Sequence, residues 1–232
     1  MTLPGHGISF VLPMFNEADN IRETITRISK LASEMCANYE IIVSDDASTD
    51  PGPDIVKQIS QDDPHVRLIK LEKNSKFGGA LNSGLMAATK DIVVYTDSDF
   101  PAKEEDIRRA VDALDGADIV TAYSLVIKDA SFKRILMSKG YNFLVQALFG
   151  FSLRDINSGL KIYRRKILEG MKLKSQSPFI DVEIFAEALK KGAKIRQHGL
   201  IFELRTKGSS HISRLDVVAR TFWDMLAYRL SR

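Results

Sequence analysis

Short apolar runs alternate with longer amphipathic stretches through the first half of the chain. Five runs rich in Ile and Val have the length of buried strands. They are Ile8–Leu12, Tyr39–Ser44, Val66–Leu71, Ile92–Thr96 and Asp118–Ala122. The intervening stretches with helical spacing are Glu17–Met35, Asp54–Ser60, Gly78–Ala88 and Glu104–Leu114. Because strands and helices alternate, the pattern predicts an α/β fold with a mostly parallel sheet flanked by helices.

The second half of the chain has a less regular pattern. Helical spacing is found in Phe132–Phe149, Ile180–Leu189 and Leu215–Leu230, whereas Lys161–Tyr163 and Lys194–Leu204 have extended patterns. The sequence contains no internal repeat and no interdomain linker. We therefore expect a single domain over residues 1–232.

Composition is typical of one globular domain, since 232 residues are 44% hydrophobic and 27% charged. The net charge of +3 gives no reason to expect a nucleic-acid partner. A single cysteine, Cys36, excludes a disulfide within the chain. With neither a signal peptide nor an apolar run of about 18 residues, we expect a cytoplasmic protein, held at most to the cytoplasmic membrane face.

Polar clusters follow the first four predicted strands. They are Pro13–Glu17, Asp45–Asp50, Asn74–Gly79 and Asp97–Asp99. In open α/β sheets, ligands bind beyond the carboxyl ends of the strands. We therefore expect the four clusters to build one ligand site at that edge of the sheet.

Asp97 and Asp99 follow a strand that should be buried. Residues two apart in an extended chain point to the same side, so both carboxylates could meet one Mg²⁺ or Mn²⁺. Such a cation would neutralise charge that develops on a leaving phosphate. An isolated D-x-D is also typical of a solvated turn, but its place at the end of the fourth strand favours a metal site.

Three further carboxylates follow the second strand. Asp45 and Asp46 could accept hydrogen bonds from a base or ribose, or could satisfy backbone groups in a turn. Asp50 precedes Pro51 and fits the turn role, so we give it no ligand.

Lys76 stands beside Gly78 and Gly79, at the start of a predicted helix. Glycines there would let a phosphate approach the backbone and the helix N-terminus. The segment lacks the Walker pattern, which argues against a nucleotide-triphosphate hydrolase, and a simple turn is the alternative.

The blocks VLPMFNE, VSDDASTD, KFGGALNSG, YTDSDF, DINSGLKIYRR and FIDVEIF occur in that order. The set resembles the family 2 glycosyltransferases of the GT-A (Rossmann-like) fold and is most similar to the dolichyl- or polyprenyl-phosphate sugar synthases. The likeness runs from about Ile8 to Ser210. It implies an inverting, metal-dependent hexosyltransferase that uses a UDP- or GDP-sugar and Mg²⁺ or Mn²⁺. About residues 7–125 would bind the nucleotide sugar, and about 126–232 would form the acceptor side and the C-terminal helix.

The resemblance assigns roles to individual positions. It implies donor contacts for Pro13, Phe15, Glu17, Asp45, Asp97, Arg205 and Ser209, to which the residue chemistry adds Asp46 and Lys76. Asp97 and Asp99 match the metal motif. The acceptor side would comprise Ser158, Lys161 and Arg134.

The acceptor decides whether a catalytic base is needed. A polyprenyl phosphate (dolichyl or undecaprenyl) is already anionic and needs alignment and charge screening. A hydroxyl acceptor needs a carboxylate to take its proton, for which Asp155 is the first candidate and Asp181 the second. Tyr141–Leu153 is apolar with basic flanks and could lie on a bilayer, or form a core or dimer helix, so a homo-oligomer stays open.

Other functions remain as alternatives. The enzyme could act on a soluble sugar or another hydroxyl acceptor. It could also be a catalytically weak nucleotide-binding relative, since Pro101 and Ser124 replace a polar metal contact and an arginine of close relatives. A signalling receiver module is about half this length, and a sugar nucleotidyltransferase usually opens with a glycine-rich loop that this sequence lacks.

Overall fold

The computed structural model describes residues 6–126, 132–151, 153–202 and 215–230, without the side chains of 132–136 and 215. The strands in these ranges are β1 (Ile8–Met14), β2 (Tyr39–Asp45), β3 (Val66–Lys70), β4 (Ile92–Thr96), β5 (Ile119–Ser124), β6 (Leu160–Arg164) and β7 (Ile195–Leu200). The helices are α1 (Ala18–Met35), α2 (Gly52–Asp62), α3 (Lys76–Ala87), α4 (Glu104–Asp112), α5 (Phe132–Phe149), α6 (Arg165–Leu168), α7 (Ile180–Lys190) and α8 (Leu215–Leu230).

The strands form one sheet in the order β3-β2-β1-β4-β6-β5-β7. β6 is antiparallel to both β4 and β5, and every other neighbouring pair is parallel. The predicted mostly parallel sheet is thus confirmed, with one reversed strand that the pattern did not indicate. Because β6 runs backwards, the segment before it lies at the edge where the parallel strands end.

Apolar side chains alternate between the two faces of the sheet, as the period of two in a strand requires. On β1, Phe10 packs in one buried cluster and Val11 in the other. The first cluster takes the apolar stripe of α1, including Ile21 and Ile25, which are almost fully buried as predicted. The second cluster takes residues of α3, α5, α7 and α8. Helices therefore cover both faces.

Within the described ranges, no helix combines the length and apolar character needed to cross a bilayer.

Candidate active site

The carboxyl ends of the central strands meet at one edge. Met14, the last residue of β1, lies opposite Asp45, the last residue of β2. On the other side of β1, β4 ends at Thr96 opposite Leu160, the first residue of β6. The amide of Asp97 then donates to the carbonyl of Gly159, 3.2 Å away. The polar clusters therefore lie at one edge of the sheet, as predicted. The segment before β6 lies at the same edge.

Asp45 is fully buried at the end of β2. Its Oδ1 accepts a hydrogen bond from the amide of Ser48 at 3.1 Å. Its Oδ2 is also buried and accepts no hydrogen bond from the described residues. An unsatisfied buried acceptor costs free energy, so this oxygen suits a donor group of a ligand.

Asp46, its neighbour, joins two loops. Its Oδ1 accepts from the amide of Ser75 at 2.5 Å, and its carbonyl accepts from the side chain of Asn74. Burial raises the pKa of Asp46 from 3.8 to about 6, while the Ser75 hydrogen bond and the charge of Lys76 oppose the rise. The carboxylate therefore holds the turn before α3 and is poorly solvated there.

Gly78, which the sequence assigned to a phosphate-approach loop or to a simple turn, contacts the segment before α7. Its amide donates to the carbonyl of Gln176 at 2.8 Å. A Cβ atom at Gly78 would lie 2.4 Å from the carbonyl oxygen of Ser175. Gly78 therefore lets α3 pack against the segment before α7, while the neighbouring Lys76 is exposed with φ of 63°.

The first loop is fastened to the turn after β2. The amide of Asn16 donates to Ser48 Oγ at 2.9 Å, and Asn16 Oδ1 accepts from the amide of Thr49 at 2.8 Å. Asp50 accepts from the amides of Ala18 and Gly52, so its predicted turn role is confirmed. Sequence reasoning missed Asn16, whose αL backbone (φ 55°) is a conformation that favours Asn.

Three other residues that were predicted to contact the donor lie from the end of β1 to the start of α1. Glu17 precedes α1 and accepts a hydrogen bond from the side chain of Asn20 at 2.8 Å. Phe15 is half-buried, and the carbonyl of Pro13 accepts from Ser98 Oγ at 2.7 Å. The first loop is thus tied directly to the Asp97-Ser98-Asp99 turn.

Asp97 is held from two sides. The hydroxyl of Tyr95 donates to Asp97 Oδ1 at 2.6 Å. A Cβ atom at Gly159 would lie only 2.4 Å from Asp97 Oδ2, so the absence of a side chain there makes room for the carboxylate. Sequence reasoning missed Tyr95, although residues two apart on a strand share a face.

The carboxylates of Asp97 and Asp99 are the predicted ligands of a divalent cation. Both residues are half-buried at the sheet edge. No group of three or more His, Cys, Asp or Glu side chains in the described part of the chain could hold a metal by itself. Mg²⁺ is usually bound through one or two carboxylates together with waters and the phosphates of the substrate. Two carboxylates after β4 would leave the other positions to waters and phosphates, and the metal role of Asp97 and Asp99 stays a prediction.

Lys161 and Asp181 form a buried ion pair beneath this edge. Lys161 Nζ lies 3.0 Å from Asp181 Oδ2 and donates to the carbonyl of Ser158 at 2.6 Å. Their side chains are 0% and 2% exposed. Burial raises the pKa of Asp181 to about 6 against the opposing effect of Lys161, and the charges of Asp97 and Asp155 raise it further. The predicted acceptor-side lysine is thus enclosed by protein groups.

Asp155 and Ser158 lie in the segment that leads into β6. The amide of Ser158 donates to the carbonyl of Asp155, and Ser158 Oγ lies 3.5 Å from Thr121 Oγ1. Ser158 is buried, whereas Asp155 is half-buried. Of the two predicted bases, Asp155 is therefore the more accessible. Arg205, Ser209 and the side chain of Arg134 lie outside the described residues.

Solved structures share this fold. Glucosyl-3-phosphoglycerate synthase from Mycobacterium tuberculosis, crystallised with Mn²⁺, uridine diphosphate and glucosyl-3-phosphoglycerate, superposes with a TM-score of 0.73 at 22% identity. The match covers 98% of this chain and 80% of that chain. The GT-A arrangement expected from the sequence is thereby confirmed.

Curated relatives match over most of the chain. The undecaprenyl-phosphate 4-deoxy-4-formamido-L-arabinose transferase of Salmonella choleraesuis is 30% identical over 184 residues, or 77% of this chain and 56% of that protein. Glycosyltransferase AglD of Haloferax volcanii is 27% identical over 97% of this chain and 38% of that protein. The chain thus spans about half the length of these relatives. The model of "Glycosyl transferase family 2" matches residues 9–171, and the chain belongs to this family.

Proposed function

We propose that this domain transfers a sugar from a UDP- or GDP-sugar to polyprenyl phosphate, with a divalent cation held by Asp97 and Asp99. The observation that carries the proposal is the meeting of Asp45, Asp46 and Asp97 at one sheet edge, in a member of this family. Inversion at the anomeric carbon follows from the family resemblance, as a direct displacement while the nucleoside diphosphate leaves.

The donor nucleotide would lie across the ends of β1 and β2. Asp45 Oδ2, buried and without a hydrogen bond from the described residues, would accept from an N–H or O–H of the base or ribose. The end of β2 is bordered by the loop Pro13–Glu17 and by Asp46 and Lys76. These residues would contact the remaining atoms of the donor. Arg205 and Ser209 stay predictions from the resemblance.

The diphosphate would lie toward Asp97 and Asp99. A bound Mg²⁺ or Mn²⁺ would supply Lewis-acid stabilisation of the charge that develops on the leaving diphosphate. Ser98 keeps the intervening turn in place, because its hydroxyl donates to Pro13 and its carbonyl accepts from Thr24 Oγ1 at 2.7 Å. The two carboxylates are therefore held on a turn that is fixed to both β1 and α1.

Two features support polyprenyl phosphate as the acceptor. Curated relatives 30% identical to the chain carry the name undecaprenyl-phosphate 4-deoxy-4-formamido-L-arabinose transferase. An anionic phosphate nucleophile needs no base, which agrees with the enclosure of Asp181. Ser158 and Arg134 would then border the acceptor phosphate. Asp155 would serve as a base only if the acceptor were a hydroxyl group.

A lipid acceptor requires the domain to reach a membrane surface. Phe143 on α5 and Trp223 on α8 are each 71% exposed, and Phe222 is 49% exposed. Helices that carry exposed aromatic residues and exposed cations, here Arg220 and Arg229 on α8, are typical of surfaces that bind the bilayer interface. We therefore place the domain on the cytoplasmic membrane face as part of this proposal.

A thermal-shift screen tests the donor site. UDP-, GDP- and other nucleotide sugars are added with and without Mn²⁺ or Mg²⁺, since a ligand that binds only the folded state raises its stability. We expect one base to stabilise the protein in a metal-dependent way. The effect should vanish in Asp97→Asn/Asp99→Asn and persist in Asp112→Asn/Asp115→Asn, which changes two exposed carboxylates. No shift with any nucleotide would contradict the donor proposal.

The acceptor is tested with the donor so identified. Radiolabelled sugar should be transferred to undecaprenyl or dolichyl phosphate in anionic vesicles. Anionic vesicles that lack the polyprenyl phosphate should stay unlabelled. Transfer to soluble sugars alone would replace the lipid acceptor by a hydroxyl acceptor. In that case Asp155→Asn should abolish transfer without weakening nucleotide binding.

A further inference from the structure

Tyr95 is a fully buried tyrosine whose hydroxyl reaches the proposed metal site. The ring centroids of Tyr95 and Phe77 are 6.2 Å apart, and Lys161 Nζ lies 5.2 Å from the centroid of the Tyr95 ring. Its hydroxyl donates to Asp97 Oδ1 at 2.6 Å. A buried phenol is usually present because its hydroxyl has a partner, and here the partner is a candidate metal ligand.

The position of Lys161 follows from strand pairing. Tyr95 on β4 lies directly opposite Lys161 on the antiparallel strand β6, so both side chains leave the same face of the sheet. Asp181, at the start of α7, covers that face and places its Oδ2 3.0 Å from Lys161 Nζ. Lys161 also donates to the carbonyl of Ser158, next to Gly159, which contacts Asp97. An unbroken chain of contacts thus runs from Asp181 to Asp97.

We propose that Tyr95 is a positioning residue for the Asp97 carboxylate, and that the buried Lys161–Asp181 pair fixes the Tyr95 ring. This inference rests on the metal site proposed above. In this proposal Asp181 positions Asp97 indirectly, through Lys161 and Tyr95. It does not act as the general base for which the sequence made it the second candidate. Groups that hydrogen-bond to a metal ligand set its orientation, and their loss commonly weakens metal binding about 10–100-fold.

The enclosure of Lys161 and Asp181 agrees with this role. An ion pair removed from water needs good geometry and further hydrogen bonds. Lys161 has both, whereas Asp181 Oδ1 is buried and accepts no hydrogen bond from the described residues. A general base must lie within hydrogen-bond reach of the proton that it takes. The Asp181 side chain is 2% exposed, so an acceptor cannot reach it without displacing Lys161 or its neighbours.

The chain offers a matched control. Tyr163 on β6 is fully buried in the same apolar cluster as Tyr95, and its hydroxyl has no hydrogen-bond partner among the described residues. Tyr95→Phe and Tyr163→Phe therefore remove the same atom from similarly buried sites. Only the first change removes a contact with Asp97.

Mn²⁺ binding is measured by electron paramagnetic resonance with UDP or GDP present and no sugar or acceptor. We expect Tyr95→Phe to weaken Mn²⁺ binding about 10–100-fold, and Tyr163→Phe to bind as the wild type does. Asp181→Asn should also weaken it, provided that circular dichroism shows a folded protein. A general base acts on the acceptor alone, so its loss would leave Mn²⁺–nucleotide binding unchanged.

The outcomes separate the two proposals. If the wild type binds no Mn²⁺ with either nucleotide, the metal site itself is wrong and the positioning role with it. If the wild type binds Mn²⁺ and Tyr95→Phe binds it equally well, the metal site stands and the role of Tyr95 is refuted. If Tyr95→Phe weakens binding and a folded Asp181→Asn does not, the proposed role of the Lys161–Asp181 pair is overturned.

Discussion

Replacing Asp46 by Asn removes a carboxylate whose ionisation opposes folding. Asp46 is 3% exposed, and burial raises its pKa from 3.8 to about 6. A group whose pKa is higher in the folded state contributes stability below its unfolded pKa and loses it as the pH rises through the folded pKa. Asp46 should therefore make the wild type less stable as the pH rises from about 4 to 7.

The pKa values set the size of the effect. A rise from 3.8 to about 6, at about 1.4 kcal/mol for each pKa unit, gives a total of about 3 kcal/mol. About half of this total, roughly 1.5 kcal/mol, falls between pH 5 and pH 7.5. Asn keeps an oxygen that can accept from the amide of Ser75, so the turn before α3 should persist.

Urea unfolding of the wild type and Asp46→Asn at pH 5, 6, 7 and 7.5 measures the effect. From pH 5 to pH 7.5, the unfolding free energy of Asp46→Asn should rise by about 1.5 kcal/mol relative to that of the wild type. The carboxylate of Asp181, whose pKa burial also raises, is common to both proteins and cancels. For Asp115→Asn, at an exposed position, the difference in unfolding free energy from the wild type should not change with pH. If the difference for Asp46→Asn is also independent of pH, the pKa of Asp46 is not raised by folding and the prediction is wrong.

Three further substitutions test individual contacts. Gly159→Ala would place a Cβ atom 2.4 Å from Asp97 Oδ2, so Mn²⁺–nucleotide affinity measured by calorimetry should fall at least about tenfold. Glu183 accepts from the amides of Lys174 and Ser175, and Glu183→Gln should lower the free energy of unfolding by about 2 kcal/mol in urea. Asp50→Ala should cost about 1–2 kcal/mol in the same assay, because Asp50 accepts from the first amide of α1. Unchanged values would show that these contacts are not formed in solution.

Periodicity predicted most elements because burial imposes it. The stripe of Ile21, Ile25 and Ile28 gave α1, and the run Ile92–Thr96 gave β4 with the observed ends. Strand direction could not be predicted in this way, since parallel and antiparallel strands share the period of two. The reversal of β6 became visible only in its pairing with β4 and β5.

The candidate site was predictable where it depended on topology and unpredictable where it depended on long-range contacts. Asp45 and Asp97 could be placed together because both follow parallel strands of one sheet. The pairing of Lys161 with Asp181 joins groups from β6 and α7, and no local pattern indicates which lysine is buried. For the same reason, the sequence left Gly78 as either a phosphate contact or part of a turn, and its close approach to the backbone of Ser175 was not predicted.

The buried pair of Lys161 and Asp181 also affects the register in which β6 pairs with β4 during folding. Val94 and Ile162 are opposite neighbours on the other face, within a wholly apolar cluster. If β6 slipped by one residue, Lys161 would turn into that cluster, away from Asp181. An ammonium group enclosed there without a carboxylate would strongly destabilise the misaligned sheet. The ion pair thereby selects a single alignment of the reversed strand.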